Sequence, residues 1–339
     1  MQPPRFSTFT DAYRSVLQQL ATQHEYAIAS RGNRSRECLN VSFTLTDPLR
    51  RIPFLKVRTP NIVFNYAEAL WYLAGRDDLD LIGYYAPRLR ALSHDGLHLT
   101  GTAYGPRLFR SPGSDQPSQW DRVVDLLRRD PDSKRAVMTV IRPDELIEPD
   151  NPDVACTLTL QFLLRDSRLH LVATMRGNDA VIGLVCDVFS FTALQEFTSV
   201  QLGAGLGTYT HQVASMHVNE PDLARMDAIL AAPEPADQFP TPSMPSDTSW
   251  ETIRHILRWE AELRTNQRRI DPHGRMPASV SPYWQQVLLL FEAYRQIVHQ
   301  PDEPIDAATL TALTPAHRWL VAQRWPNRVT IQPAESTSR

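Results

Sequence analysis

The chain has 339 residues, 42% of them apolar and 22% charged, with a formal net charge of -3. That composition is ordinary for a globular protein with one large core or two smaller ones, and the near-neutral charge excludes a global pull toward nucleic acid or an anionic membrane. Cys38, Cys156 and Cys186 are the only cysteines; they are too scattered for a disulfide framework, no apolar run reaches the length of a membrane span, and a cytoplasmic protein without a metal centre is expected.

Apolar spacing predicts a helix over Phe9 to Glu25, where Tyr13, Val16, Leu17 and Leu20 share a face. Leu39 to Leu45 alternates and predicts a strand. Asn61 to Gly75 predicts a second helix, ended by glycine, and Trp120 to Arg129 a third, stopped before Pro131. Strands are expected over Ala136 to Ile141, Thr157 to Leu164 and Leu169 to Met175, the last two joined by a hairpin turn at Arg165, Asp166 and Ser167. Asp187 to Gly203 is apolar around most of its circumference, as a buried helix is. Gly207 to His217 reads as a further strand. Pro233 to Pro245 is rich in Pro, Asp and Ser and reads as a linker. Beyond it helices are expected over Ser249 to Leu263, Tyr283 to His299 and Ala307 to Arg324. The expected class is α+β, a mixed β-sheet packed with helices. The expected division is a domain over 1–232, a linker over 233–248 and a helical C-terminal extension over 249–339 packed on that domain.

Chemistry concentrates around Cys156. A lone cysteine among apolar strand residues is as a rule a small buried hydrophobe, and Cys38 and Cys186 keep that reading. Around Cys156, however, stand Lys134 and Arg135 upstream and Arg176 downstream. Cations near a thiol lower its pKa and populate the thiolate, the form that attacks an electrophile. Glu68 lies in an apolar helical segment, where an unpaired carboxylate is costly. Asp187 stands where a helix is expected to begin, so helix capping competes with a ligand-reading role.

Four segments, in this order and spacing, resemble the thymidylate synthase family: Glu68-Ala69-Leu70-Trp71-Tyr72-Leu73-Ala74-Gly75, Asp130-Pro131-Asp132-Ser133-Lys134-Arg135, the strand around Cys156, and Arg176-Gly177-Asn178-Asp179 with Ile182-Gly183. The resemblance covers roughly Phe9 to Asn219. It implies a thymidylate-synthase-like fold and a homodimer in which Arg135, with Lys134, reaches the partner's nucleotide phosphate. Arg176 holds phosphate within the same subunit, and Arg31 or Arg34 supplies a further phosphate contact. By the same resemblance Cys156 attacks C6 of a pyrimidine nucleoside monophosphate, Glu68 orders water and relays protons, Tyr104 stands near the attacking cysteine, and Asp179 holds the pterin of 5,10-methylenetetrahydrofolate.

The departures from the family pattern carry the substrate expectation. Thr157 follows Cys156 where the family has His, and Lys134 replaces an Arg. Asp187 replaces an Asn that pairs with the uracil edge; a carboxylate cannot donate to O4 but accepts from a cytosine amino group. Gly177 replaces a Ser and His217-Val218-Asn219 replaces His-x-Tyr, which leaves space for a ribose 2'-hydroxyl near Gly177, His217 and Lys134. The resemblance thus implies folate-dependent C5 hydroxymethylation of CMP, of the kind found in nucleoside-antibiotic pathways. dCMP hydroxymethylation, thymidylate synthesis and a non-catalytic nucleotide-binding paralogue are the alternatives.

Overall fold

Alternating apolar residues along the longest strands force one sheet face inward, where the helices Phe9–Thr22 and Gly183–Leu202 pack against it. The computed structural model describes residues 2–113, 116–233, 239–272 and 280–329. In chain order the elements are β1 (Arg5–Phe6), α1 (Phe9–Thr22), β2 (Tyr26–Ser30), β3 (Asn33–Leu45), α2 (Ile62–Leu73), α3 (Leu79–Tyr85), α4 (Tyr104–Phe109), α5 (Gln119–Arg129), β4 (Val137–Thr139), β5 (Thr157–Arg165), β6 (Arg168–Asp179), α6 (Gly183–Leu202) and β7 (Gly205–Asn219). There follow α7 (Leu223–Ala231), α8 (Trp250–Arg264), α9 (Pro282–His299), α10 (Ala307–Ala312) and α11 (Pro315–Arg324). The class is α+β, as expected.

The sheet order is β1-β3-β7-β6-β5-β4, with β2 paired to β3. Strands β6 and β7 are parallel, so the chain between them must cross over the sheet. Helix α6 makes that crossing over 20 residues, with Phe189, Phe191 and Phe197 fully buried. Helix α2 is buried along its whole length because α6 packs on one side and α8, α9 and α11 on the other. Its start is set by Asn61, whose side chain accepts from the Phe64 N–H at 3.1 Å. The turn between β5 and β6 has Asp166 and Ser167 at φ 49° and 58°, the paired positive angles of a tight hairpin that suits the sheet's twist.

Several elements differ from the sequence expectation. Strand β3 begins at Asn33, not Leu39, and is preceded by an unexpected partner, β2. The polar run from Asn33 to Glu37 hid the start of β3, and β2 is exposed along almost its whole length, so it carries no buried alternation. Helix α6 begins at Gly183, so Asp187 sits inside the helix and the capping reading is overturned. The span Ala307 to Arg324 breaks in two at Leu313, where Thr314 caps α11 and Pro315 occupies its first position. Proline there lacks the N–H that a continuous helix needs.

The Pro-rich stretch read as a linker is tied down where it is described. Met244 N–H donates to Glu196 at 2.6 Å, and Trp284 Nε1 donates to Thr248 Oγ1 at 3.1 Å. The C-terminal helices join the rest through a buried polar cluster. Tyr85 and Arg264 both donate to Glu260 at 2.9 Å, and Arg264 also reaches Asp80 at 2.8 Å. Each buried charge thereby has a partner, which is the condition for tolerating it. Among the described residues no helix is long and apolar enough to cross a membrane.

Candidate active site

Cys156 lies immediately before β5, half-buried, on a segment pinned from three sides. Arg176 Nε and Nη2 donate to the carbonyls of Ala155 and Val154 at 2.8 and 2.9 Å. Glu145, ion-paired with buried Arg107, accepts from Ala155 N–H at 3.3 Å. Asp153 accepts from the backbone N–H groups of Thr100, Gly101 and Thr102 at 2.7–2.8 Å. Gly101 has to be glycine: a Cβ there would lie 1.9 Å from the Asp153 carbonyl oxygen. We expect Gly101→Ala to displace the Asp153 clamp and destabilise the fold by about 1–3 kcal/mol. A thermal melt checks this, and an unchanged midpoint would show that the clamp is slack.

The floor of the site is acidic and aromatic. Glu68, on α2, accepts from Ser190 Oγ on α6 at 2.8 Å. Burial pushes the Glu68 carboxyl up to about 7, against the opposing effects of Ser190 and Arg88. Tyr72 and Tyr104 stack with ring centroids 5.1 Å apart, and burial lifts both phenols well above their usual range. Asp187, one helical turn into α6, accepts from Asn178 Nδ2 at 3.0 Å. Burial, and then the like charge of Glu68, push it up to about 8 while Asn178 opposes the shift.

Two expectations are corrected here. Cations were expected to lower the Cys156 pKa, yet burial raises it and outweighs nearby Arg176. In the chain alone the thiol keeps its proton. Asp187 was expected to act as a carboxylate unable to donate. With a pKa of about 8 it carries a proton at neutral pH and is both a donor and an acceptor. Rejection of uracil for want of a donor therefore does not hold.

The other expected residues divide. Arg31 reaches the carbonyls of Pro152 and Asn151 at 3.3 and 3.2 Å, beside the Cys156 segment. Arg34 instead lines a separate cavity with His24 and Glu220. Lys134 and Arg135 are exposed, the Arg135 side chain at 79% and 3.9 Å from Asp130. Neither is brought to Cys156 within this chain. Asp179 and His217 face each other across β6 and β7. Asp179 Oδ1 accepts from the N–H groups of Val181 and Ile182, both at 2.8 Å, and Oδ2 accepts from Asn219 at 2.7 Å. At Gly177 an added Cβ would meet only Ser215 O, at 3.6 Å, an ordinary contact, so the backbone there leaves open space.

Sequence reading missed a cavity of about 270 Å³ behind this floor. Arg58, Arg88, Arg225 and Arg324 line it together with Ile182 and Cys186, and among the described residues no carboxylate does. Arg58 is 7% exposed and its Nε has no partner. Burial and the other three guanidiniums lower the Arg324 pKa. Arg58 is the buried member of the four, Arg225 is half-buried and Arg88 and Arg324 are exposed, so the cavity gathers four like charges at its mouth and suits an anion. The four arginines come from distant stretches of chain, so no local pattern signals them. Cys186 at its edge is held as a neutral thiol, pushed up to about 12 by burial.

A cysteine, a proton-bearing aspartate, a buried glutamate and paired tyrosines thus lie within electrostatic reach of one another. The family model for thymidylate synthase matches residues 8–264. This chain belongs to the thymidylate synthase family. The match runs past Asn219 to the end of α8, so the first C-terminal helix lies within the family segment. Among solved thymidylate synthase family structures, the thermostable thymidylate synthase A from Bacillus subtilis shares the fold with a TM-score of 0.58 at 20% identity, over 71% of this chain and 90% of that one. The deoxyuridylate hydroxymethyltransferase of Bacillus phage SP01 is 32% identical over 62% of this chain and 56% of its own length. A putative thymidylate synthase from Methanocaldococcus jannaschii is 26% identical over 61% of this chain and 86% of its own. The chain spans about half the length of the phage relatives it matches.

Proposed function

We propose that this protein hydroxymethylates C5 of cytidine 5'-monophosphate, with 5,10-methylenetetrahydrofolate as the donor. The observation that carries the reading is Asp187, which holds a proton to about pH 8 where the family pattern has an amide facing the pyrimidine edge. A carboxylic acid donates to cytosine N3 while its carbonyl oxygen accepts from the 4-amino group. As sulfur adds to C6, N3 becomes an amidine nitrogen, a far better proton acceptor than the uracil O4. Asp187 transfers its proton there, and the resulting carboxylate accepts from both N3–H and the amino group. The preference for cytosine then comes from proton transfer in the transition state, the stage at which discrimination counts.

The remaining groups follow from their positions. Cys156 gives its proton to water, Arg176 beside it favours the thiolate, and the sulfur forms the covalent bond to C6. Glu68, with a pKa of about 7, is suited to moving a proton at C5 through water, with Tyr104 alongside. Arg176 and Arg31 take the phosphate. Exposed Arg135 and Lys134 are left for a partner subunit's phosphate and sugar. Gly177 and His217 border the space assigned to the 2'-hydroxyl. Asp179 keeps lone pairs on Oδ2 for the pterin. When bound, the folate supplies a carbon at the methylene level, and water completes the hydroxymethyl group.

With the folate bound, Arg58, Arg88, Arg225 and Arg324 would hold its carboxylate tail. A charge-assisted hydrogen bond contributes about 1.5–3 kcal/mol. Arg58→Ala and Arg324→Ala are therefore each expected to raise KM for the folate by about ten- to a hundredfold, with KM for the nucleotide unchanged. A rise in the nucleotide KM alone would reassign the cavity.

The direct test incubates the protein with methylenetetrahydrofolate and each of CMP, dCMP and dUMP, and reads the product by mass. A gain of about 30 Da on CMP, one CH2O unit by formula, is expected. The phage relatives are named for deoxyuridylate, which makes dUMP the specific competing substrate. A gain of about 30 Da on dUMP alone would move the protein to that group, and about 14 Da, one CH2, would make it a methylating enzyme.

A further inference from the structure

We propose that Asn178 is a positioning residue for base recognition, holding the Asp187 carboxyl toward the pyrimidine through a buried relay that continues to His211 and Tyr209. The proposal rests on the reading that Asp187 contacts the base. Asn178 is 3% exposed on β6, next to the phosphate-binding segment. Its Nδ2 donates to Asp187 Oδ2 at 3.0 Å and lies 2.9 Å from Met175 sulfur and 3.4 Å from His211 Nε2. His211 is fully buried, stacked on Phe43, and its Nδ1 lies 2.7 Å from the Tyr209 hydroxyl.

The hydrogen-bond logic fixes the direction of this relay. An amide nitrogen only donates, so His211 Nε2 must accept, and the proton of the ring sits on Nδ1 facing the Tyr209 oxygen. Burial holds His211 neutral, with a pKa of about 3, so the ring stays an acceptor across the working pH range. One amide proton is thus shared by His211 and Met175, and the other is left for Asp187. The amide cannot turn over without losing both. Meanwhile Asn178 Oδ1 is buried without a partner, and a Cβ on Gly183 would approach it to 3.2 Å. A polar group left unpaired in the core is costly and calls for a reason; orienting Asp187 supplies one.

The other groups that face Asp187 do not take this role. Glu68 and Tyr72 on α2, Tyr104 on α4, Cys156 before β5 and Cys186 on α6 all lie close enough for charge interaction with one another or with Asp187, as does Tyr209 on β7. Among the described residues only Asn178 hydrogen-bonds to Asp187. Its donor favours the ionised carboxylate and so lowers the pKa. Removing it raises that pKa further.

The test compares kcat/KM against pH for cytosine and uracil nucleotides in the full-length enzyme and in Asn178→Ala, His211→Phe, Asp187→Asn and the double variant Asn178→Ala/Asp187→Asn. In Asn178→Ala the alkaline limb for the cytosine nucleotide should move up by about one pH unit, and the cytosine-to-uracil ratio should fall about tenfold. His211→Phe keeps the ring stack and frees the amide, so it should shift both in the same direction by less; it serves if Asn178→Ala does not fold. The double variant should show the base ratio of Asp187→Asn alone. An unmoved limb and ratio in both Asn178→Ala and His211→Phe, or full additivity in the double, overturns the relay while leaving the Asp187 reading intact. An unchanged base ratio in Asp187→Asn overturns that reading, and the relay with it.

Discussion

Asp187→Asn is expected to lower turnover of the cytosine nucleotide by about 10²–10⁴-fold, the usual contribution of a positioned proton donor. The asparagine amide can still pair with either ring, so binding should change less than kcat. It cannot give up a proton to N3, so the loss belongs to the transition state. The uracil nucleotide should lose little, and the preference should fall or invert. The pH profile carries a second signature. Asp187 is competent while protonated, so wild-type turnover of the cytosine nucleotide should decline as pH rises through about 8, and that limb should be missing from Asp187→Asn. The same shift has a consequence for stability. The folded state holds a proton that the unfolded chain gives up in the ordinary carboxylate range, so between that range and about pH 8 this group makes stability fall as pH rises. Asp187→Asn should therefore raise the melting temperature by a few degrees at pH 8, and by less near pH 5. A melting temperature equally raised at both pH values would contradict the assignment of the proton to Asp187.

Cys156→Ala should abolish both product formation and release of tritium from C5 of the labelled nucleotide, a loss on the order of 10⁴-fold or more. The thiol lies on a segment held by Arg176, Glu145 and Asp153 rather than in the hydrophobic core, so the variant should fold and bind nucleotide normally. Release of tritium at the wild-type rate would remove Cys156 from the chemistry. The raised thiol pKa adds a condition. Because burial outweighs Arg176 in the chain alone, alkylation of Cys156 by iodoacetamide should be slow near neutral pH and should quicken as pH rises. Cys38 is buried and Cys186 half-buried, and both thiols have raised pKa values, that of Cys186 pushed up to about 12, so neither should compete strongly.

Much of the architecture was legible because it depends on local periodicity. The apolar stripe of Phe9 to Leu20, the alternation in β5 and β6 and the all-round hydrophobicity of Phe189 to Phe197 each identify their element, since side-chain period and burial are set by backbone geometry. Where polar residues dominate, the signal failed. The first part of β3 read as loop because Asn33 to Glu37 lack alternation, and β2 because it is exposed on both faces. The break before Pro315 was overlooked because apolar spacing on both sides matches a single helix.

The chemistry-bearing residues were legible as types: Cys156, Glu68, Asp187, Arg176 and Asp179 stand in sequence motifs specific in combination. Their states were not. Whether Cys156 is a thiol or thiolate, and whether Asp187 donates or only accepts, depends on how much water the surrounding elements remove. Glu68 on α2, Asn178 on β6 and His211 on β7 come within reach of Asp187 only through the sheet register and the α6 crossover. The four-arginine cavity likewise draws on residues from Arg58 to Arg324. Short-range pattern and order carried the family, most of the longer elements and the reactive residue types, because those follow from residues close in sequence. Tertiary structure alone decided the protonation states, the hydrogen-bond partners and the cationic cavity, because charge and hydrogen bonding act through space and their strength depends on burial.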